Sequence, residues 1–251
     1  MEPYISGFLA TLLLSLRIAP ALSFAPPFTY LRAPAIVKLL LSIGLAAWIA
    51  IPNQNAASGF TLDISTFVTA AATELLLGVA LALALQIAFA ALLTAGRVID
   101  FQAGFGLAVL ADPALRTQMP LIGTLFAYAA AAVFFTTSGP TDMLALWRAS
   151  IERVPIGGAP VMADLQALTV YISSAFALAF GIAGAVMLVL FLVDLTIAFL
   201  SRTLPQMNVL LLGFQVKTLT LLVTLPFVFA FSGALFLRLV RLATSSTLDF
   251  L

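Results

Sequence analysis

Neither cysteine nor histidine occurs in these 251 residues, and charged residues make up only 8% of the chain. Without cysteine there are no disulfide bridges and no thiol nucleophiles. Without either residue there are no Cys/His zinc clusters and no acid–base chemistry through imidazole. Soluble domains carry about 25% charged residues, so water is not the main solvent for this surface. Hydrophobic residues reach 63%, which points instead to an integral membrane protein of several helices. Eleven Lys and Arg against ten Asp and Glu give a net charge of +1, and no basic excess points to nucleic acid. Carboxylates, hydroxyls and amines are the only reactive side chains left, and no metal site or cofactor is expected from them.

What the chain has in quantity is long apolar runs. Six main hydrophobic segments cover roughly residues 5–24, 35–51, 66–95, 120–138, 166–200 and 207–242. A helix needs about 20 apolar residues to cross a bilayer, so the second and fourth are marginal and the third, fifth and sixth are longer than needed. The runs lack period-two alternation, so helices and not strands are predicted, and a helix satisfies its own backbone in lipid. The N-terminal "MEPYISGFLATLLLSLRIAP" starts acidic and lacks a small-residue cleavage site, which reads as a first, retained helix. The fold class is therefore all-α, with helical hairpins and interrupted hydrophobic helices. Pro20 and Pro226 lie inside the first and last segments, where proline bends a helix. "LSRTLPQMN" (200–208) breaks two apolar runs and reads as the tight polar tip of a hairpin. Ala177, Gly181 and Ala185 repeat every four residues, a small face open to close helix approach.

The longest polar interval, about 139–165, contains "TDMLALWRASIERV". Met143, Trp147, Ile151 and Val154 recur at helical spacing, so a short amphipathic helix is predicted, capped by Thr141 or Asp142. Arg148 and Glu152 form an i,i+4 pair. Such a helix suits a membrane interface or the face of a neighbouring subunit. The charges fit a six-span topology poorly. With the N-terminus outside, Arg32, Lys38, Arg97, Arg116 and Arg202 are cytoplasmic, as positive-inside bias prefers, while Arg238 and Arg241 fall on the wrong side.

Three functional classes compete. "DFQAGFGLAVLADP" (100–113) holds Gly104 and Gly106, but Val109 stands where a dinucleotide fingerprint needs its third glycine, and no strand precedes it. No phosphate loop ending in GK[ST] is present, no two carboxylates share a short motif, and no serine is paired with a base at a recognisable spacing, so catalytic residues are not expected. Arg17, Glu74, Gln86, Asp194 and Lys217 are polar residues in apolar context, and intramembrane ionisable groups are functional hypotheses by default. An ion-coupled transporter is one reading of them. The other is that Glu74 and Asp194 pair with Lys217, Arg202 or a partner chain. A transporter is expected to show two related halves, and the chain has no convincing internal repeat. A pore or assembly subunit, with buried polar groups and glycine-bearing apolar loops, fits better.

Three ordered blocks carry a family resemblance: "RIAPALSFAPPFTYLRAPAIVKLLLSIGLA" (17–46), "GRVIDFQAGFGLAVLADPALRTQMP" (96–120) and "LVDLTIAFLSRTLPQMNVLLLGFQVKTLTLL" (192–222). Together they resemble the FliR/SctT family of type III export-gate subunits along nearly the whole chain. The resemblance implies one copy of this chain in a helical hetero-oligomer with P-type and Q-type subunits, whose fold it would fuse: 1–165 P-type-like, 166–251 a Q-type-like hairpin. It implies further contact with a B-type switch protein and an A-type export subunit, passage of unfolded secretion substrates, and a place in the bacterial inner membrane at the flagellar basal body. "VLADP" favours the flagellar branch over the virulence injectisome, although the absence of histidine from 139–154 departs from the flagellar pattern.

By the same resemblance, Phe101, Gly104, Phe105, Gly106, Leu107, Val109 and Leu110 become candidates for a channel plug, with Asp112–Pro113 ending it. Asp194, Arg202, Pro205, Gln206, Asn208 and Lys217 become candidates for hairpin geometry and subunit contacts, and Arg17 and Glu74 stand as buried polar groups.

Overall fold

The structure, a computed structural model, describes residues 2–51, 64–105, 120–158, 164–203 and 209–245. Within these the chain is helical and contains no strand. The helices are α1 (Glu2–Phe24), α2 (Ala35–Ala50), α3 (Ile64–Ala103), α4 (Leu121–Thr136), α5 (Gly139–Arg153), α6 (Leu165–Thr203), α7 (Val209–Phe231) and α8 (Gly233–Ser245), with a 3-10 turn at Phe28–Leu31.

Four of these are long and apolar enough to cross a membrane: Gly7–Phe24 of α1, α3, α6 and Leu211–Phe231 of α7. Counting the broken pair α4 and α5 as one span gives five. An ideal helix of α3's 40 residues is about 60 Å long, twice the roughly 30 Å hydrocarbon core. α6, at 39 residues, is equally oversized. α2, at 16 residues, is short for a span.

The sixth apolar segment is not one helix. Pro226 stays inside α7, and the break comes at Ser232, whose carbonyl accepts from the Leu235 and Phe236 amides (2.9 and 3.0 Å). α8 is then a separate amphipathic helix. Phe236, Leu239, Val240 and Ala243 are buried while Arg238 and Arg241 are exposed. At 13 residues it is too short to cross, so its two arginines sit on a short polar-faced helix after the last long span.

The chain divides into two compact units. The first comprises residues 1–87, 134–172 and 241–251. Its core is set by α1, where Leu13, Leu14, Arg17, Ile18 and Ala21 are fully buried. α5 belongs here and differs from the sequence expectation in two ways. It starts at Gly139, with Ser138 at the N-cap and Pro140 in the first turn, so neither Thr141 nor Asp142 caps it. Asp142 instead accepts from the Ser138 hydroxyl at 2.7 Å. Its apolar face is also covered by its own chain: Met143, Trp147, Ile151 and Val154 are all buried. Arg148 and Glu152 are exposed on the far side. Phe28 packs edge-on against Phe134 and Phe135, at 5.6 and 6.0 Å between ring centres. Tyr171, buried at the start of α6, donates to the Ala84 carbonyl of α3 at 2.6 Å.

The second unit comprises residues 88–133 and 173–240. Phe126, Phe229 and Phe236 form an aromatic core, the first pair edge-on at 5.7 Å and the last pair stacked at 6.1 Å. α3 and α4 touch backbone to backbone, because Gly96 and Gly123 face each other. A Cβ on Gly96 would lie 2.1 Å from the Gly123 Cα.

Candidate functional site

Each unit holds one polar constellation in apolar surroundings, and α3 contributes a carboxylate to both. In the first unit Glu74 faces Arg17. The Arg17 Nε donates to Oε2 at 2.6 Å and Nη2 to Oε1 at 2.9 Å, a two-pronged pair that matches guanidinium to carboxylate. Both side chains are sealed from solvent. Arg17 Nη1 also donates to Ser150 Oγ (3.2 Å) and Nη2 to the Val154 carbonyl (3.0 Å). The Gly157 amide donates to Glu74 Oε1 at 3.0 Å. One buried ion pair thus ties α1, α3, α5 and the turn after α5.

Close helix approach makes this possible. Gly78 lies one turn beyond Glu74 on the same face of α3, and a Cβ there would meet the Arg17 carbonyl oxygen at 2.5 Å. The sequence flagged Arg17 and Glu74 as buried polar groups but did not join them. It offered Lys217, Arg202 or a partner chain for Glu74. The missed signal was the i,i+4 spacing of Glu74 and Gly78, an acid beside a gap that admits another helix.

In the second unit the constellation sits at the end of α3. Gly104 has φ +95°, a left-handed conformation natural to glycine. Its amide donates to the Phe101 carbonyl (3.1 Å) and the Phe105 amide to the Asp100 carbonyl (2.9 Å). These two bonds form a Schellman closure of the helix. The Gln102 carbonyl, next along the chain after those two acceptors, is taken by Lys217 Nζ of α7 at 3.2 Å. Lys217 is also ion-paired to Asp194 of α6. The Gln102 side chain donates to the Met187 carbonyl of α6 at 3.0 Å. Phe105 meets Phe214 of α7 edge-on, 6.3 Å between centres. Phe101, by contrast, is exposed.

Asp100 extends this cluster. It lies one turn after Gly96, the same acid-and-glycine pairing seen at Glu74 and Gly78. Its Oδ1 accepts the Ile122 amide at 3.2 Å, in the first turn of α4. Pro120, which precedes α4, has no side-chain oxygen to offer, so the cap comes from another helix. Asp100 Oδ2 is buried and has no hydrogen-bond partner among the described residues.

Of the sequence-derived site residues, Phe101, Gly104, Phe105, Asp194 and Lys217 fall in this one unit, and the last four gather around the end of α3. Arg202 lies exposed in the last turn of α6. Gly106, Leu107, Val109 and Leu110, with Asp112–Pro113, lie outside the described residues, as do Pro205, Gln206 and Asn208. Sequence reasoning missed Gln102, Met187 and Phe214, because backbone carbonyls and an ordinary phenylalanine leave no motif. Beside the cluster, α4 and α7 line an open apolar groove of about 730 Å³, with Phe105, Leu121, Tyr128, Leu225 and Phe229 among its walls.

Residues 8–243 match the family model described as "Bacterial export proteins, family 1". The chain is 30% identical over 213 residues to the "Flagellar biosynthetic protein FliR" of Escherichia coli (strain K12), covering 84% of this chain and 80% of that one. Identity is also 30% over 224 residues to the protein of the same description from Bacillus subtilis (strain 168), with 86% and 85% covered. The "Yop proteins translocation protein T" of Yersinia pestis is 25% identical over 183 residues, with 72% and 69% covered.

Proposed function

The chain belongs to family 1 of the bacterial export proteins, and from that premise we propose that it is the export-gate subunit of the flagellar type III secretion apparatus. It joins P-type and Q-type subunits as a single copy in the inner membrane, at the flagellar basal body. Together they form the entrance through which unfolded substrates leave the cytoplasm, next to the B-type switch protein and the A-type export subunit. The 1–165 part plays the P-type role and the 166–251 hairpin the Q-type role. The subunit performs no catalysis. Its work is to close and open a passage.

The observation that carries the gating part is the end of α3. Gly104 in a left-handed turn, two residues after a Gln102 bonded to both α6 and α7, precedes the apolar stretch 106–110. In the closed gate Phe105, Leu107, Val109 and Leu110 fill the lumen and keep out water and ions. An arriving chain displaces them. Phe101, exposed at the same helix end, belongs to this plug, and Arg202, Pro205, Gln206 and Asn208 are assigned to hairpin geometry and contacts with the neighbouring subunits. The higher identity and coverage toward the flagellar relatives supports the flagellar branch. The match to the Yersinia protein keeps an injectisome role as the second reading.

Two experiments test this. Deleting 103–110 in an assembled gate should make the membrane leak ions, and unchanged leakage from a correctly assembled gate sinks the plug. For the branch, the chain is expressed in a flagellated bacterium lacking its own subunit of this type. Restored swimming supports the flagellar reading, and restored effector secretion in an injectisome mutant without restored swimming supports the other.

A further inference from the structure

We infer that the groove between α5 and the end of α8 holds the headgroup of a zwitterionic aminophospholipid, its phosphate on Arg241 and its ammonium on Asp142. The groove lies within the first unit, and the inference does not depend on the gate reading. It is open and measures about 500 Å³, within the roughly 300–1,000 Å³ usual for small-molecule sites. Ser138, Asp142, Ala145 and Ala149 form one wall, at the spacing of a single α5 face. Arg241 and Ser245 stand on the α8 wall. The two alanines are small, which leaves room between the helices.

The charges of this groove are unmatched. Asp142 and Arg241 stand on opposite walls, yet no ion pair joins them. Asp142 Oδ2 accepts from the Ser138 hydroxyl at 2.7 Å, and Oδ1 has no donor among the described residues. The Arg241 guanidinium makes no ion pair or hydrogen bond among the described residues. A simple anion would meet Arg241 but be opposed by Asp142, and a simple cation the reverse. A ligand that carries both charges satisfies both walls. A guanidinium takes a phosphate through two parallel N–H bonds, and an ammonium donates to a carboxylate.

The position of the groove along the chain points to a lipid as the carrier of these charges. α4 is apolar and ends at Thr136, and α5 turns away from it by 76°. Ser138 sits at that bend and lines the groove. α8 follows the long span of α7 after Ser232 alone, and Arg238 and Arg241 lie one turn apart on its exposed face. An amphipathic helix with a basic face beside a span belongs at the membrane–water boundary, where headgroups lie.

The test takes the chain purified from membranes with its partner subunits and counts bound lipid by native mass spectrometry. Phosphatidylethanolamine, phosphatidylglycerol and phosphatidylcholine are supplied at equal concentration. Wild type should retain phosphatidylethanolamine over the other two, since phosphatidylglycerol lacks the ammonium and phosphatidylcholine has no N–H to donate. R241Q and D142N should each weaken that retention about tenfold, as loss of one charged hydrogen bond does. D142N should also hold phosphatidylglycerol better than wild type does. A149L keeps both charges, fills the groove and should weaken retention too. Equal retention of the three lipids by wild type means a general lipid annulus and overturns the inference. So does undiminished phosphatidylethanolamine on R241Q and D142N. Phosphoethanolamine without acyl chains, supplied instead, should not bind, and binding as tight as the lipid's assigns the groove to a soluble ligand. Loss of a partner subunit from R241Q or D142N, with no lipid on wild type, assigns it to a protein contact and overturns the inference. Should either charge variant fail to assemble although wild type holds the lipid, A149L decides.

Discussion

Arg17 and Glu74, 57 residues apart in sequence, meet in a sealed two-pronged ion pair that a third helix and a turn complete through Ser150, Val154 and Gly157. Every Arg17 nitrogen has a partner, and Glu74 Oε1 has two. Such a pair is not by itself a large source of stability, because desolvating both ions offsets much of the attraction. Breaking it from one side is different.

Removing Glu74 alone leaves a guanidinium buried without its counter-ion, which costs about 3–5 kcal/mol. E74A should therefore be recovered in much lower amounts with its partners and unfold at a clearly lower temperature. The double variant R17M/E74L removes both charges and should recover much of the loss. Thermal unfolding of the purified assembly measures this. An E74A protein as stable as wild type contradicts the clamp.

The two glycine contacts on α3 predict a contrast with a third glycine. A methyl group on Gly78 or Gly96 meets backbone atoms at 2.5 and 2.1 Å, which cannot rotate away. Overpacking of this kind costs about 1–3 kcal/mol or more. Gly44 in α2 has nothing within 4 Å of its Cβ position, and alanine there gains about 1 kcal/mol of helix propensity. G78A and G96A should lower the yield of folded chain and G44A should not. Equal behaviour of the three removes the argument for close helix contact.

Asp100 supplies the N-terminal cap of α4 across helices. D100L deletes the acceptor for the Ile122 amide and should cost about 1 kcal/mol, as capping losses do. D100N keeps an oxygen in place and should lose less. The readout is the difference in unfolding temperature between the two variants, and no difference means the Ile122 contact carries no energy.

The outer faces of α2, α6 and α7 predict that the isolated chain is poorly behaved. Ile36, Leu40 and Trp48 of α2 are 70%, 63% and 56% exposed, and Leu219, Leu222 and Phe227 continue the pattern on α7. Apolar faces of this extent mark surfaces for lipid or partner chains. Extracted alone in mild detergent, the chain should aggregate or elute broadly on size exclusion. Extracted with its P-type and Q-type partners, it should elute as one species. A monodisperse lone chain argues against assembly and for the transporter reading.

Long apolar runs with few charges were enough to establish an all-α membrane protein, because in lipid only a helix satisfies the backbone of such a run locally. The amphipathic helix at 139–153 was equally legible from the spacing of Met143, Trp147 and Ile151. Three ordered motif blocks were enough to indicate the family. Local pattern could not decide what depends on distant partners. Nothing in the last segment announced the break at Ser232, which comes after Pro226, itself inside α7. Asp194 and Lys217 were candidates for each other, but only the packing of α6 on α7 against the end of α3 brought the Gln102 carbonyl to them. Arg17 reached Glu74 only because Gly78 lets α1 and α3 touch. Charge pairing over tens of residues is a property of helix approach, and here that approach is set by a missing side chain on α3.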